Sequence, residues 1–161
     1  MIETGWRSVV VSKLKKFGHC IPVENPADPG TPDVFFLLKG APICAWVELK
    51  YLQVFPVYDK EVLHVPKYRP QQRNWIRKHY RNGGRAFLFV RIENEYFLFH
   101  PQVAIENVNI NLSTQDFSKK ALRHWKGKID YEDLVKVITH HGTSGNKKPK
   151  RNHKSRKLRT A

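Results

Sequence analysis

The sequence predicts an α/β fold in which helices flank a mixed central sheet. Strand-length apolar runs at residues 33–39, 42–51 and 85–92 are separated by a helix-length segment from residue 70 to residue 80. These runs are apolar on both faces, which is typical of strands that helices cover on either side.

The first element is an amphipathic helix. Trp6, Val10 and Leu14 recur at the spacing of one helical face and predict a helix over residues 3–17. Gly18 follows directly and is expected to be its C-cap, because glycine tolerates the left-handed conformation that ends many helices.

The next segment predicts strands joined by loops. Residues 19–24 are a short strand candidate, and a proline- and glycine-rich loop follows over residues 25–32. The apolar runs at 33–39 and 42–51 form a hairpin, and residues 52–69 are irregular.

The second half predicts a helix, a strand pair and a final helix. Pro70 suits the first turn of a helix, and the glycines after residue 82 end it. Residues 85–92 and 96–100 form the strand pair. Asp130 then caps the C-terminal helix.

Charge predicts the class of partner. The formal net charge is +15; residues 143–161 contain eight Lys or Arg and no acid, which leaves +7 for residues 1–142. A folded domain over residues 1–142 with a disordered basic tail over 143–161 is therefore expected. Because body and tail are both basic, the pattern favours a polyanionic partner. An anionic membrane is less favoured, since the tail lacks the apolar residues of an amphipathic face. A tail that only solubilises the protein or adheres to ribosomes is an alternative.

The sequence lacks the features of an exported, membrane-spanning or disulfide-bonded protein, which predicts a location inside the cell. The N-terminus does not have the form of a signal peptide, no apolar run reaches the roughly 20 residues of a membrane span, and the two cysteines lack CxxC spacing. The expected location is cytoplasmic or nucleoid-associated, including the case of a phage-infected host cell.

Charged residues at the ends of the hairpin suggest a site. If Gly40-Ala41 is a two-residue turn, paired positions sum to 81 and Asp33 lies opposite Glu48. Directly opposed carboxylates repel unless a cation lies between them. Lys50 is two residues beyond Glu48 and points to the same face of the strand.

Two carboxylates and an ammonium suit phosphodiester hydrolysis. Carboxylates bind Mg²⁺, which activates water, and an ammonium orients that water or neutralises the transition state. The alternative is that the acids are ordinary charges at a turn and a strand edge. The protein would then be a non-catalytic DNA-binding protein.

Several motifs together resemble the PD-(D/E)xK nuclease superfamily. "GTPD" is followed fifteen residues later by "ELK", Glu3 lies fifteen residues before Gly18, and "PQQRNW" places Gln72 and Trp75 ahead of a Gly-Gly. The pattern over residues 3–99 is most similar to the VRR-NUC branch and related phage nucleases, and more distantly to Holliday junction resolvases.

The resemblance implies a restriction-endonuclease-like αβββαβ core and a Mg²⁺-dependent DNA endonuclease of recombination or repair that acts on branched or structured DNA. Mn²⁺ is expected to replace Mg²⁺, and resolvases of this superfamily are dimers, so a homodimer is a further expectation. The implied metal ligands are Asp33, Glu48 and the carbonyl of Leu49; Lys50 is the implied catalytic residue, with Glu3 and Gln72 in support.

Both supporting residues have simpler interpretations. Glu3 alone stabilises a helix N-terminus through the helix dipole. Gln72 shares a predicted helical face with Trp75, so it is either part of the site or a hydrogen-bonded core glutamine.

Overall fold

A computed structural model describes residues 3–143, which form an α/β fold with one mixed six-stranded sheet and helices on both faces. The predicted basic tail lies outside the described residues beyond Thr143. The elements are α1 (Glu3–Leu14), β1 (Gly18–Pro22), β2 (Val34–Leu38), β3 (Cys44–Leu52), α2 (Pro70–Arg81), β4 (Ala86–Ile92), β5 (Glu95–Phe99), α3 (Pro101–Glu106), α4 (Phe117–Lys120), β6 (Arg123–Lys126) and α5 (Tyr131–His140).

The strands lie in the sheet in their chain order. Every neighbouring pair is antiparallel except β3 and β4, which are parallel. A parallel pair needs a crossover connection, and α2 provides it. Since β4 is covered on both faces, Phe87, Leu88, Phe89 and Val90 are all fully buried.

Two hydrophobic clusters fill the space on the two faces of the sheet. On one face, α1 and α5 pack over the sheet through Trp6, Val10, Leu134 and Ile138. On the other face, α2 and α3 cover the sheet, with Ile76 fully buried. In the part of the chain that the structure describes, no helix is both long and apolar enough to cross a membrane.

The predicted hairpin register is confirmed. Val34 pairs with Val47 and Leu37 pairs with Cys44, so paired residue numbers sum to 81. Extending this register by one position places Asp33 opposite Glu48.

The hairpin connection is longer than predicted. The Leu38 N–H donates to the Ile43 carbonyl, so residues 39–42 form a four-residue connection in which Gly40 has a φ of +76°. The Lys39 N–H donates instead to the Phe17 carbonyl. Two-residue and four-residue connections centred on the same peptide bond give the same register, so the error leaves the pairing unchanged.

The end of the first helix also differs from the prediction. Helix α1 ends at Leu14, a turn follows, and Gly18 begins β1 rather than capping the helix. A Cβ at Gly18 would lie 2.0 Å from the Leu37 carbonyl oxygen. Glycine is therefore required here by the close approach of β2.

Residues 101–126 contain three short elements that were not predicted from the sequence, α3, α4 and β6. The helices have only six and four residues, too few to show a helical periodicity. The final helix is as predicted, since the Asp130 carboxylate accepts a hydrogen bond from the Asp133 N–H at 3.0 Å.

Candidate active site at the open edge of β3

The predicted site residues lie where β3 runs past the end of β2. Strand β2 begins at Val34, opposite Val47, whereas β3 continues to Leu52. Within residues 3–143, the last residues of β3 therefore have no neighbouring strand on that side. The first turns of α1 and α2 approach this open edge from opposite faces of the sheet.

Backbone hydrogen bonds show which groups face the open edge. The Trp46 N–H donates to the Arg85 carbonyl, and the Leu52 carbonyl accepts from the Glu93 N–H. Even-numbered residues of β3 therefore bond toward β4. Because direction alternates along a strand, the N–H and carbonyl of Leu49 point to the open edge.

Asp33 is attached to this edge by a hydrogen bond. Its Oδ2 accepts from the Leu49 N–H at 2.9 Å, a bond that continues the β2–β3 ladder with a side chain. Its Oδ1 forms only a long ion pair with Arg7 Nη1, at 4.0 Å. One carboxylate oxygen of Asp33 is thus fixed, and the other is weakly paired.

Glu48 and Lys50 form a buried ion pair. Lys50 Nζ lies 2.6 Å from Glu48 Oε1 and 3.8 Å from Glu3 Oε1. The side chains of Glu48 and Lys50 are only 1% and 3% exposed. These charges are therefore not solvated strand ends.

Gln72 connects Glu48 to the beginning of α2. Its Oε1 accepts from the N–H of Arg69, the N-cap residue, at 2.9 Å, and its Nε2 donates to Glu48 Oε1 at 2.7 Å. The capping interaction fixes the amide, because Gln72 stands at the third helical position, where it reaches back to the N-cap backbone. Gln72 is therefore both a helix cap and a hydrogen-bond donor to the Glu48 carboxylate.

The second oxygen of Glu48 is unsatisfied. Glu48 Oε2 is buried and has no hydrogen-bond partner among the described residues. Burial, and then the charge of Asp33, raises the pKa of Glu48 to about 8, against the opposing effect of Lys50. A buried carboxylate oxygen without a partner is costly, so a ligand for it would stabilise the protein.

A small cavity opens beside Asp33 and Leu49. It has a volume of about 40 Å³ and is lined by Glu3, Thr4, Arg7, Asp33 and Leu49. That is room for an ion or a few waters. Arg7 was not identified from the sequence, although it lies four residues after Glu3 and therefore on the same face of α1.

The donors fit magnesium better than zinc. Residues 3–143 contain no group of three or more His, Cys, Asp or Glu side chains placed to hold a metal ion by themselves. Mg²⁺ is usually bound by one or two carboxylates and keeps several waters. Asp33 Oδ1, Glu48 Oε2 and the Leu49 carbonyl suit that mode, whereas structural zinc needs four cysteine or histidine ligands.

The structure thus brings all five predicted side chains together, while their chemical roles stay predictions. Glu48 is contacted by Lys50 and Gln72, Lys50 by Glu3, and Asp33 is joined to the same strand. No protein-family model matches the chain. No curated protein matches it significantly either.

Proposed function

We propose that the protein is a Mg²⁺-dependent DNA endonuclease that acts on branched or otherwise structured DNA. The observation that carries the proposal is the unsatisfied, buried Oε2 of Glu48 beside Asp33 at an open strand edge. Buried polar atoms in proteins nearly always have partners. A buried carboxylate oxygen that lacks a partner and lies near a second carboxylate is expected where a cation binds.

The residues that would hold Mg²⁺ are Asp33, Glu48 and, through its carbonyl, Leu49. When bound, the ion activates a water molecule and offsets negative charge developing on the phosphate. Gln72 and Lys50 both contact Oε1 of Glu48, which leaves Oε2 for the ion. In the same way, the Leu49 N–H donates a hydrogen bond to Asp33 Oδ2, which leaves Asp33 Oδ1 for the ion.

Lys50 supplies the positive charge that phosphodiester cleavage requires. Its ammonium lies between the carboxylates of Glu48 and Glu3, which hold it at the open edge. An ammonium fixed there orients the attacking water or stabilises charge on the phosphate oxygens. Glu3 is then a positioning residue, because it contacts Lys50.

The choice of DNA as substrate rests on charge and on resemblance. Residues 1–142 carry a formal charge of +7 without the tail, which favours a polyanion. The first six elements follow in the order helix, three strands, helix, strand, which is the order that the resemblance to PD-(D/E)xK nucleases implies. The preference for branched DNA, the use of Mn²⁺ and dimerisation rest on the resemblance to resolvases.

A non-catalytic DNA-binding protein is the second candidate. It is favoured by the contacts already present, because Lys50 and Gln72 together satisfy one oxygen of Glu48 without a metal. Among the described residues, Glu3, Asp33 and Glu48 also do not form a group of three acids placed to hold a metal ion by themselves. In this case Mg²⁺ would not stabilise the protein.

Thermal unfolding with and without Mg²⁺ separates the two candidates. We expect Mg²⁺ to stabilise the wild type, by about 2.7 kcal/mol at a concentration one hundred times the Kd. Asp33→Asn should abolish this gain yet remain folded in EDTA, because its amide oxygen still accepts from the Leu49 N–H. Asp59→Asn, which changes an exposed loop acid, is the matched control and should respond like the wild type.

Cleavage assays complete the test. The protein is incubated with linear, single-stranded, flap and four-way DNAs in the presence of Mg²⁺ or Mn²⁺. We expect the wild type to cut the branched substrates and Asp33→Asn to cut none of them. Unfolding of Asp33→Asn in EDTA, or metal stabilisation equal to that of the wild type, would contradict the metal site. DNA binding without cleavage of any substrate would support the second candidate.

A further inference from the structure

A second cavity lies directly beside the candidate site. It is a groove of about 300 Å³ between α1 and β1, lined by Arg7, Ser8, Val11, Ser12, Lys15 and Pro22. None of these lining residues is acidic. Two hydroxyls and one cation thus lie along one side of α1, and a second cation, Lys15, follows its last residue.

Arg7 joins the groove to the carboxylate cavity, because it lines both. One guanidinium nitrogen, Nη2, is held by Glu24 Oε1 at 3.0 Å, and the other, Nη1, lies 4.0 Å from Asp33 Oδ1. The groove therefore leads away from Asp33 along α1 toward Lys15.

We propose that this groove binds the phosphodiester backbone of the DNA strand adjacent to the cleaved bond. This inference rests on the proposed function, since it takes the Asp33 cavity as the point of cleavage. Ser, Lys and Arg are the side chains with which proteins contact phosphate oxygens. The Ser8 hydroxyl now donates to the Thr4 carbonyl at 3.2 Å, and a rotation about its Cα–Cβ bond frees it for phosphate.

The length of the groove suits a short run of nucleotides. From Arg7 to Leu14 the helix advances about 10.5 Å, at 1.5 Å per residue, and Lys15 follows directly, so the groove is about 12 Å long. One strand of duplex DNA advances about 3.4 Å per nucleotide. The groove thus spans three to four nucleotides, with Arg7 at the end near the cleaved bond and Lys15 at the far end.

A larger basic cavity on the other side of α1 provides the control. It has a volume of about 500 Å³, is lined by Lys13, Lys16 and Lys128 among others, and shares no residue with the Asp33 cavity. It also contains Asp130, the N-cap of α5. Lys13 and Lys15 are both exposed lysines close together in the chain, so Lys13→Ala matches Lys15→Ala in charge and in location but lies outside the groove.

The experiment replaces single phosphates of a four-way DNA by uncharged methylphosphonates and measures binding in EDTA, where a metal-dependent enzyme does not cut. For the wild type and Lys13→Ala, we expect affinity to fall when phosphates within about four nucleotides of the cleaved bond are neutralised. For Lys15→Ala, one of these positions should become insensitive, because its cationic partner is already gone. The log–log salt slope of Lys15→Ala should also fall by roughly 0.9.

The possible results separate this inference from the proposed function. Suppose that the wild type cuts DNA and that Lys15→Ala is as sensitive to every phosphate as Lys13→Ala. That result would contradict DNA binding in the groove and would leave the proposed nuclease activity unaffected. Absence of cutting with Mg²⁺ or Mn²⁺ would overturn the nuclease. If Lys15→Ala still lost sensitivity at one phosphate in that case, the groove would remain a DNA-binding surface.

Discussion

At the scale of single residues, Glu48 is subject to opposing effects. Lys50 and Gln72 stabilise its ionised form through contacts of 2.6 and 2.7 Å. Burial and the charge of Asp33 favour the neutral form, and the net result is a pKa of about 8. A bound cation would reverse this balance, so metal binding near neutral pH should release a proton.

Glu48 should therefore give the metal-free protein a specific pH dependence. Its pKa rises from an ordinary 4.5 to about 8 on folding, so between these values the folded state holds a proton that the unfolded chain has lost. The contribution of Glu48 to stability is full below pH 4.5 and falls as pH rises through 8. Urea unfolding in EDTA should show Glu48→Gln gaining stability relative to the wild type between pH 5 and pH 8.

A matched variant identifies the source of this effect. Glu106→Gln removes an exposed carboxylate and should follow the wild type across the same pH range. If Glu48→Gln also parallels the wild type at every pH, Glu48 is ionised throughout, and the metal would not have to displace a proton.

Lys50 should affect turnover more than binding. Lys50→Met keeps the buried stem, which avoids a cavity, and removes the ammonium that lies 2.6 Å from Glu48. We expect cleavage to fall by a factor on the order of 10²–10³, the usual effect of removing one electrostatic interaction from a transition state. DNA binding in EDTA should persist, since many other cations contribute to it.

The control for Lys50→Met is Lys13→Met, which removes a charge from the exposed surface of α1. It should cleave DNA like the wild type. Wild-type turnover by Lys50→Met with Mg²⁺ would show that the Glu48–Lys50 pair is structural and that cleavage, if any, takes place elsewhere.

At the scale of elements, the site depends on how closely α2 approaches the loop before Asp33. Gly30 is buried beneath α2, and a Cβ there would lie 2.4 Å from the Gln71 carbonyl oxygen and 3.3 Å from Trp75 Cβ. Since Gln71 precedes Gln72 on the helix, the position of this loop and the position of the Gln72 amide are linked.

Gly30→Ala should thus loosen the site as well as the fold. The added methyl group must displace the first turn of α2, at a cost of about 1–3 kcal/mol in unfolding free energy. Gly40→Ala is the control. Gly40 has a φ of +76° and open space around it, so an alanine there strains the backbone at a position away from the site. Only Gly30→Ala should reduce stabilisation by Mg²⁺; equal metal responses in the two variants would show that Gln72 does not depend on this contact.

The elements also show what the sequence allows one to predict. The hairpin register could be predicted because strand alternation and the position of the connection's centre at Gly40-Ala41 determine it, although the connection is longer than predicted. Extended by one position, that register places Asp33 opposite Glu48. The burial of Lys50 could not be predicted, since it depends on tertiary neighbours that are distant in the chain, Glu3 of α1 and strand β4. The short elements between residues 101 and 126 were missed because stability there comes from tertiary packing rather than from periodicity.

At the scale of the whole molecule, the candidate site and much of the positive charge belong to different parts of the sequence. The five site side chains lie between residues 3 and 72, on one edge of β3. Much of the positive charge lies elsewhere, with +8 carried by residues 143–161. The chemistry and a large share of the affinity for DNA should therefore be separable.

Removal of residues 143–161 tests that separation. Eight cations that bind phosphates displace counterions, so the truncated protein should bind DNA more weakly and with a flatter log–log salt slope, by roughly 0.9 for each phosphate that it no longer neutralises. Turnover at saturating DNA should be unchanged, because the five predicted site side chains all belong to residues 3–72. A tail of the same composition in shuffled order should restore the slope, and one with its lysines and arginines replaced by serine should not. An unchanged slope after truncation would mean that residues 1–142 alone carry the affinity, and a loss of turnover at saturation would mean that the tail also acts at the site.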